Sequence, residues 1–245
     1  METVAQAVGN ALHAIAAPAT HRNINPNPSW DWQWHLTGAE TTAELAKCAE
    51  MLRLGREFVA DMARGHDPRW LVLVGPNGSG KSYLAERIAA WVREYGRGIY
   101  QRERSRAGRA DLESLWSYAQ EGPLFRRWQN LLNRLRQGEY YRLETDARDW
   151  FKVIDDLGVG AIGSDGEATG FAVQKMGELL DRRLRKWTVI TTNFTRRQIA
   201  EQFDTRIASR LIRGGNVVCD CEHLRDYSIR REKAAEQMAG VEVAA

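Results

Sequence analysis

An α/β fold is expected, with a central, mostly parallel sheet covered by helices on both faces in three layers. Three observations predict it. Short apolar runs at 70–74, 150–156 and 187–193 read as buried strands. Stretches of helical periodicity alternate with them, at 41–64, 83–95 and 171–185. The first apolar run also passes through a glycine-rich turn straight into a helical pattern. A chain of 245 residues holds one such domain of ordinary size plus a short extension.

The turn is Gly75-Pro76-Asn77-Gly78-Ser79-Gly80-Lys81-Ser82. Glycines let successive backbone N–H groups face a phosphate with no Cβ in the way. The helix N-terminus that follows adds partial positive charge. Lys81 can reach β- and γ-phosphates, and the Ser82 hydroxyl can ligate Mg²⁺. Strand, glycine-rich turn and helix together are the context that a phosphate-binding loop requires, so a nucleoside triphosphate is the expected ligand.

Ahead of this motif, Val4, Val8, Leu12 and Ile15 suit a weak amphipathic helix, and Pro18, Pro26 and Pro28 mark a linker. Trp30, Trp32 and Trp34 alternate at period two. They form either a segment packed on its own domain or a docking peg for a partner. Thr41 or Thr42 caps a helix running to Arg64, with Leu45, Cys48, Met51, Leu52, Phe58, Val59 and Met62 at helical spacing. Gly65 and Pro68 end it, and Cys48 falls on its core face.

Beyond the loop helix, Gly98-Ile99-Tyr100 reads as a short strand. Arg102, Arg104, Arg106 and Arg109 follow, then helices over 111–119 and 124–137. The second has Phe125, Trp128, Leu131, Leu132 and Leu135 as its apolar face. Its Arg126, Arg127, Arg134 and Arg136 form either a solvated face or a groove for a phosphate backbone.

The run at 150–156 ends in two carboxylates. Asp155 would hold Mg²⁺ through water, and Asp156 would polarise an attacking water. Residues 158–170 read as a glycine-rich loop, followed by the helix over 171–185. Asn193 ends the next strand beside Asp155, where its amide can hold a γ-phosphate or the lytic water; a plain asparagine turn is the alternative. A helix over 195–203 precedes Arg206 and Arg210, which share one helical face. They either make ion pairs within the chain or reach a neighbouring subunit's nucleotide. Arg213 suits a helix end before Gly214-Gly215. A last strand spans 216–221, and a closing helix 227–237. Cys219, Cys221 and His223 are too compactly spaced for a zinc site.

A net charge of +3 neither demands nor excludes nucleic acid. Hydrophobic content of 43% and charged content of 27% fit a soluble globular protein. No apolar run is long enough for a membrane span, and the N-terminus is a poor secretory signal. Three cysteines give no disulfide framework, so a reducing cytoplasm is expected.

The order of parts resembles the AAA+ ATPases, and more narrowly the DnaC/DnaI-type helicase loaders and the IstB transposition ATPases. The resemblance rests on Val153-Ile154-Asp155-Asp156-Leu157-Gly158, on Leu180-Asp181-Arg182-Arg183 before Ile190-Thr191-Thr192-Asn193, and on Arg206-Ile207-Ala208-Ser209-Arg210-Leu211. It covers about residues 41–232, leaving 1–40 as an extension and 233–245 as a tail. It implies a P-loop ATPase with ATP and Mg²⁺ as cofactors. Gly75 to Ser82 would bind the phosphates, Ser82 and Asp155 the metal. Asp156 would be the catalytic carboxylate, standing where most relatives have glutamate, so slow turnover is implied. Asn193 matches sensor 1, Arg210 the trans-acting arginine finger, and Arg230 sensor 2, with Arg225 and Arg231 close by. A homo-oligomer is implied, on single-stranded DNA, serving a replicative helicase or a transposase. Possible DNA contacts are Arg102, Arg104, Arg106, Arg126, Arg127 and Trp128. A nucleotide-dependent scaffold with little hydrolysis is a rival of another class, and a small-molecule kinase a weaker one. The long region 98–149 and the short N-terminal extension depart from the loader pattern.

Overall fold

The structure is a computed structural model describing residues 40–106, 124–163, 168–227 and 229, with the backbone alone over 100–106. Its five strands form one sheet: β1 (Trp70–Val74), β2 (Phe125–Arg127), β3 (Phe151–Asp155), β4 (Trp187–Thr192) and β5 (Val217–Asp220). The order across the sheet is β2-β3-β4-β1-β5, and every pairing is parallel. All strands therefore finish at the same edge, which is where ligands gather in such sheets.

Every side chain of β1 is buried, because helices cover both faces. Leu71 and Leu73 pack with α1 (Thr42–Arg64) and α2 (Lys81–Arg106), through Phe58, Met62, Leu84, Ile88 and Val92. Trp70, Val72 and Val74 face the opposite layer. That layer comprises α3 (Trp128–Arg136), α4 (Tyr141–Arg148), α5 (Gly170–Arg183), α6 (Arg196–Gln202) and α7 (Thr205–Ile212). The three expected layers are present.

Local sequence explains the helix ends. Thr41 and Glu44 form a reciprocal capping box at the start of α1, and Gly65 closes it in the left-handed conformation at φ 75°. Thr195 and Gln198 make the same box for α6.

Two sequence expectations need correction. Gly98-Ile99-Tyr100 is not a strand, since α2 runs on to Arg106. Leu84, Ile88, Val92 and Ile99 are all buried, and continue one helical stripe past Gly96 and Gly98. The helix expected over 124–137 starts later. Phe125–Arg127 is an edge strand on β3, and α3 begins only at Trp128. The tryptophan segment, the 111–119 helix, Arg109, Arg230 and the tail lie outside the described residues, as does the closing helix beyond residue 229. Among the described residues, no helix is long and apolar enough to cross a membrane.

Candidate phosphate-binding site

The loop after β1 turns over the carboxyl edge of the sheet into the first turn of α2. Two glycines there are required by contacts as well as by dihedrals. Gly75 has φ 146°, and a Cβ on it would lie 2.7 Å from the Cys221 backbone. Gly78 has φ 71°, and a Cβ there would lie 2.2 Å from the Asp226 carboxyl carbon.

Lys81 is only 4% exposed, and its ammonium is turned into the loop. It donates to the Gly75 carbonyl at 2.7 Å, to the Pro76 carbonyl at 2.6 Å and to the Ser79 hydroxyl at 3.2 Å. Burial lowers its pKa from the usual lysine value, and the nearby Cys221, Asp156 and Asp155 partly offset this.

Asp155, 1% exposed at the end of β3, is met from two sides. Ser82 Oγ donates to its Oδ1 at 2.7 Å, and Thr191 Oγ1 donates to the same oxygen at 2.7 Å. The Thr191 hydroxyl also accepts the Asp156 N–H at 2.9 Å. Asp156 adopts φ 55°, a left-handed conformation that aspartate tolerates better than most residues. Its pKa is raised, first by burial and then by the Asp155 charge. A cavity of about 200 Å³ is lined by Asn77 to Tyr83 together with Asp156 and Asn193. Parallel strands bring the three segments together, as the sequence implies.

The fit of a metal can be judged from this geometry. Ser82 and Asp155 already converge on one point, an arrangement able to share a hard cation. No cluster of three or more His, Cys, Asp or Glu side chains suited to a metal occurs among the described residues. A cation here would take its remaining ligands from phosphate oxygens and water, the usual habit of Mg²⁺.

Other expected residues stand elsewhere. Arg210 forms a fork with Asp181 of α5, Nε to Oδ1 at 2.6 Å and Nη2 to Oδ2 at 2.7 Å, and does not line the cavity. Arg206 is exposed. Cys219 and Cys221 are buried with their sulfurs 3.9 Å apart, while His223 is exposed.

The expected DNA contacts divide. Trp128 is fully buried in the second core layer and cannot stack on a base. Arg126 is taken up by a two-point pair with the buried Asp146, at 2.8 and 3.0 Å. Arg127 belongs beside the site: its Nε lies 3.9 Å from Asp155 Oδ2, and its side chain is 66% exposed. Sequence reasoning missed this because an arginine-rich run read as one helix face, whereas a strand register sets Arg127 opposite Asp155. It also missed Thr191, which looks like any β-branched residue in a strand.

No known protein family matches the chain, and no curated protein matches it.

Proposed function

We propose that this chain is an ATPase of the AAA+ type that binds ATP with Mg²⁺, assembles on single-stranded DNA and loads or remodels a partner. A replicative helicase is the first choice of partner, and a transposase the alternative. The observation that carries the nucleotide reading is the 2.7 Å contact between Ser82 and Asp155, formed where a glycine loop and a parallel strand end meet. The AAA+ assignment, the DNA and the partner rest on the order of motifs.

The chemistry follows from the side chains. On binding, Lys81 would exchange the loop's own oxygens for phosphate oxygens, a charge-assisted replacement. Ser82 and Asp155 would hold Mg²⁺, which would supply neutralisation of phosphate charge. Thr191 fixes the rotamer of Asp155, so its carboxylate is oriented in advance. Asp156 would orient the attacking water, and Asn193 would hold the terminal phosphate. Arg127 is a cation near the same edge, able to approach developing negative charge.

Titration with a fluorescent ATP analogue and a phosphate-release assay test this. Lys81→Ala should abolish binding, while Asp156→Asn should keep binding and lose turnover by roughly 10²–10⁴-fold. Unaltered binding in Lys81→Ala would sink the reading. Arg210→Ala should bind ATP and hydrolyse poorly, and mixing it with Lys81→Ala should restore activity at hybrid interfaces.

A nucleotide-dependent switch with little turnover is the second reading. It draws on the Arg210–Asp181 pair, which a finger acting in trans would first have to break. ATP-dependent assembly without phosphate release, even with DNA present, would favour it.

A further inference from the structure

We infer that the ion pair Glu44–Arg225 is a positioning pair for the phosphate loop, acting through the segment 225–227, which straps the loop's crest. The inference rests on the nucleotide reading above and adds residues that touch no ligand.

Glu44 lies on the first turn of α1 and is 3% exposed. Arg225 grips it by two parallel bonds, Nε to Oε1 and Nη2 to Oε2, both 2.7 Å. Glu44 Oε2 also accepts from Thr41 N at 2.8 Å and from Thr41 Oγ1 at 3.1 Å. With these donors and the Arg225 backbone around it, the carboxyl is held far below its usual range, at about 2, chiefly by the Arg225 side-chain bond. Such saturation makes Glu44 a fixed post for Arg225. Just before Arg225, Leu224 is 1% exposed in the core.

The next two residues meet the loop. The Asp226 carboxylate fills the space over Gly78 Cα, as the 2.2 Å approach to a Cβ there shows. The Tyr227 N–H donates to the Gly78 carbonyl at 3.0 Å. That bond has a consequence one atom away. The Gly78 C=O and the Ser79 N–H belong to one planar trans peptide and point in opposite directions. Holding the carbonyl on Tyr227 turns the Ser79 N–H away from the strap. The strap does not line the cavity, whereas Ser79 does. The Glu44–Arg225 pair therefore sets the direction of a donor suited to phosphate.

The decisive experiment uses the full chain with Glu44→Gln, Arg225→Lys and the exchanged pair Glu44→Arg/Arg225→Glu. Glutamine at this position keeps the capping box of α1, and Arg225→Lys leaves that box untouched. Hydrogen exchange of loop residues 77–80 is followed without nucleotide, alongside the affinity for a fluorescent ATP analogue. Both single variants should speed loop exchange and weaken affinity about tenfold, with β3 and β4 protected as before. The exchanged pair should recover part of both. Loop exchange and affinity within about twofold of the parent, alongside a lower melting temperature, would overturn the inference, because the pair would then only staple α1 to the chain. A parent chain that binds no ATP analogue would overturn the nucleotide reading and this role with it. Loop exchange distinguishes that result from failure of the strap alone.

Discussion

Asp155 and Asp156 are adjacent carboxylates whose different surroundings come largely from one hydroxyl. Thr191 donates to the first and accepts the backbone N–H of the second, so it orients both without reaching the cavity. Thr191→Val keeps the shape and removes the bonds. On the proposed nucleotide reading it should lower metal-dependent ATP binding or turnover by about 10–100-fold, the usual cost of losing a supporting partner. Thr191→Ser should retain most of it, and parallel titrations with and without Mg²⁺ would check both. At this scale, legibility was uneven. The meeting of Lys81, Ser82, Asp155, Asp156 and Asn193 was readable, because a glycine loop opens a helix after one strand while the aspartates and the asparagine end two others at the same sheet edge. Thr191 was not, because a threonine inside a strand has an ordinary structural reason to be there. Arg127 was not, because its neighbour Asp155 is set by strand register and lies distant in sequence.

Among the elements, the short strand β2 shows how a local pattern can mislead. Three residues are too few to display a period of two, and their arginines merge into the polar face of the helix that follows. What holds β2 is tertiary. Arg126 pairs with Asp146 of α4, and the same carboxylate accepts Lys152 of β3 at 3.0 Å. Asp146 is 2% exposed and Lys152 is 1% exposed. Asp146→Asn takes the counter-charge from the half-buried Arg126 and leaves the buried Lys152 with Asp149. It should cost about 1–3 kcal/mol, read as a lower denaturation midpoint. If the midpoint does not move, β2 is held by its ladder alone. The long α2 teaches the converse: its glycines looked like a break, yet burial of Ile99 continues the stripe. Apolar face periodicity outweighs the helix cost of a glycine, about 1 kcal/mol.

For the whole molecule, buried charge gives stability a pH dependence on its alkaline side. Lys186 has its pKa lowered from 10.5 to about 8, first by burial and then by the Arg183 charge. Below about pH 8 its ammonium is charged in both states, and folding carries the cost of burying it. Between about 8 and 10.5 the folded chain has released a proton that the unfolded chain keeps. Stability contributed by this group therefore rises with pH across that window. Lys186→Gln should flatten this rise, as chemical denaturation at pH 7 and pH 10 would measure; an unchanged slope would assign the effect to other groups. The fold class was legible because alternating strand and helix patterns define layers, while the strand order was not, since register and crossover carry no local signal. That order bears on how the protein is made. The strand leading into the phosphate loop pairs with β4 and β5, both supplied late in the chain. As the polypeptide leaves the ribosome, this strand has no edge to join until those later residues emerge. Its apolar stretch stays unpaired until then, and the glycine-rich loop takes shape among the last parts of the nascent domain.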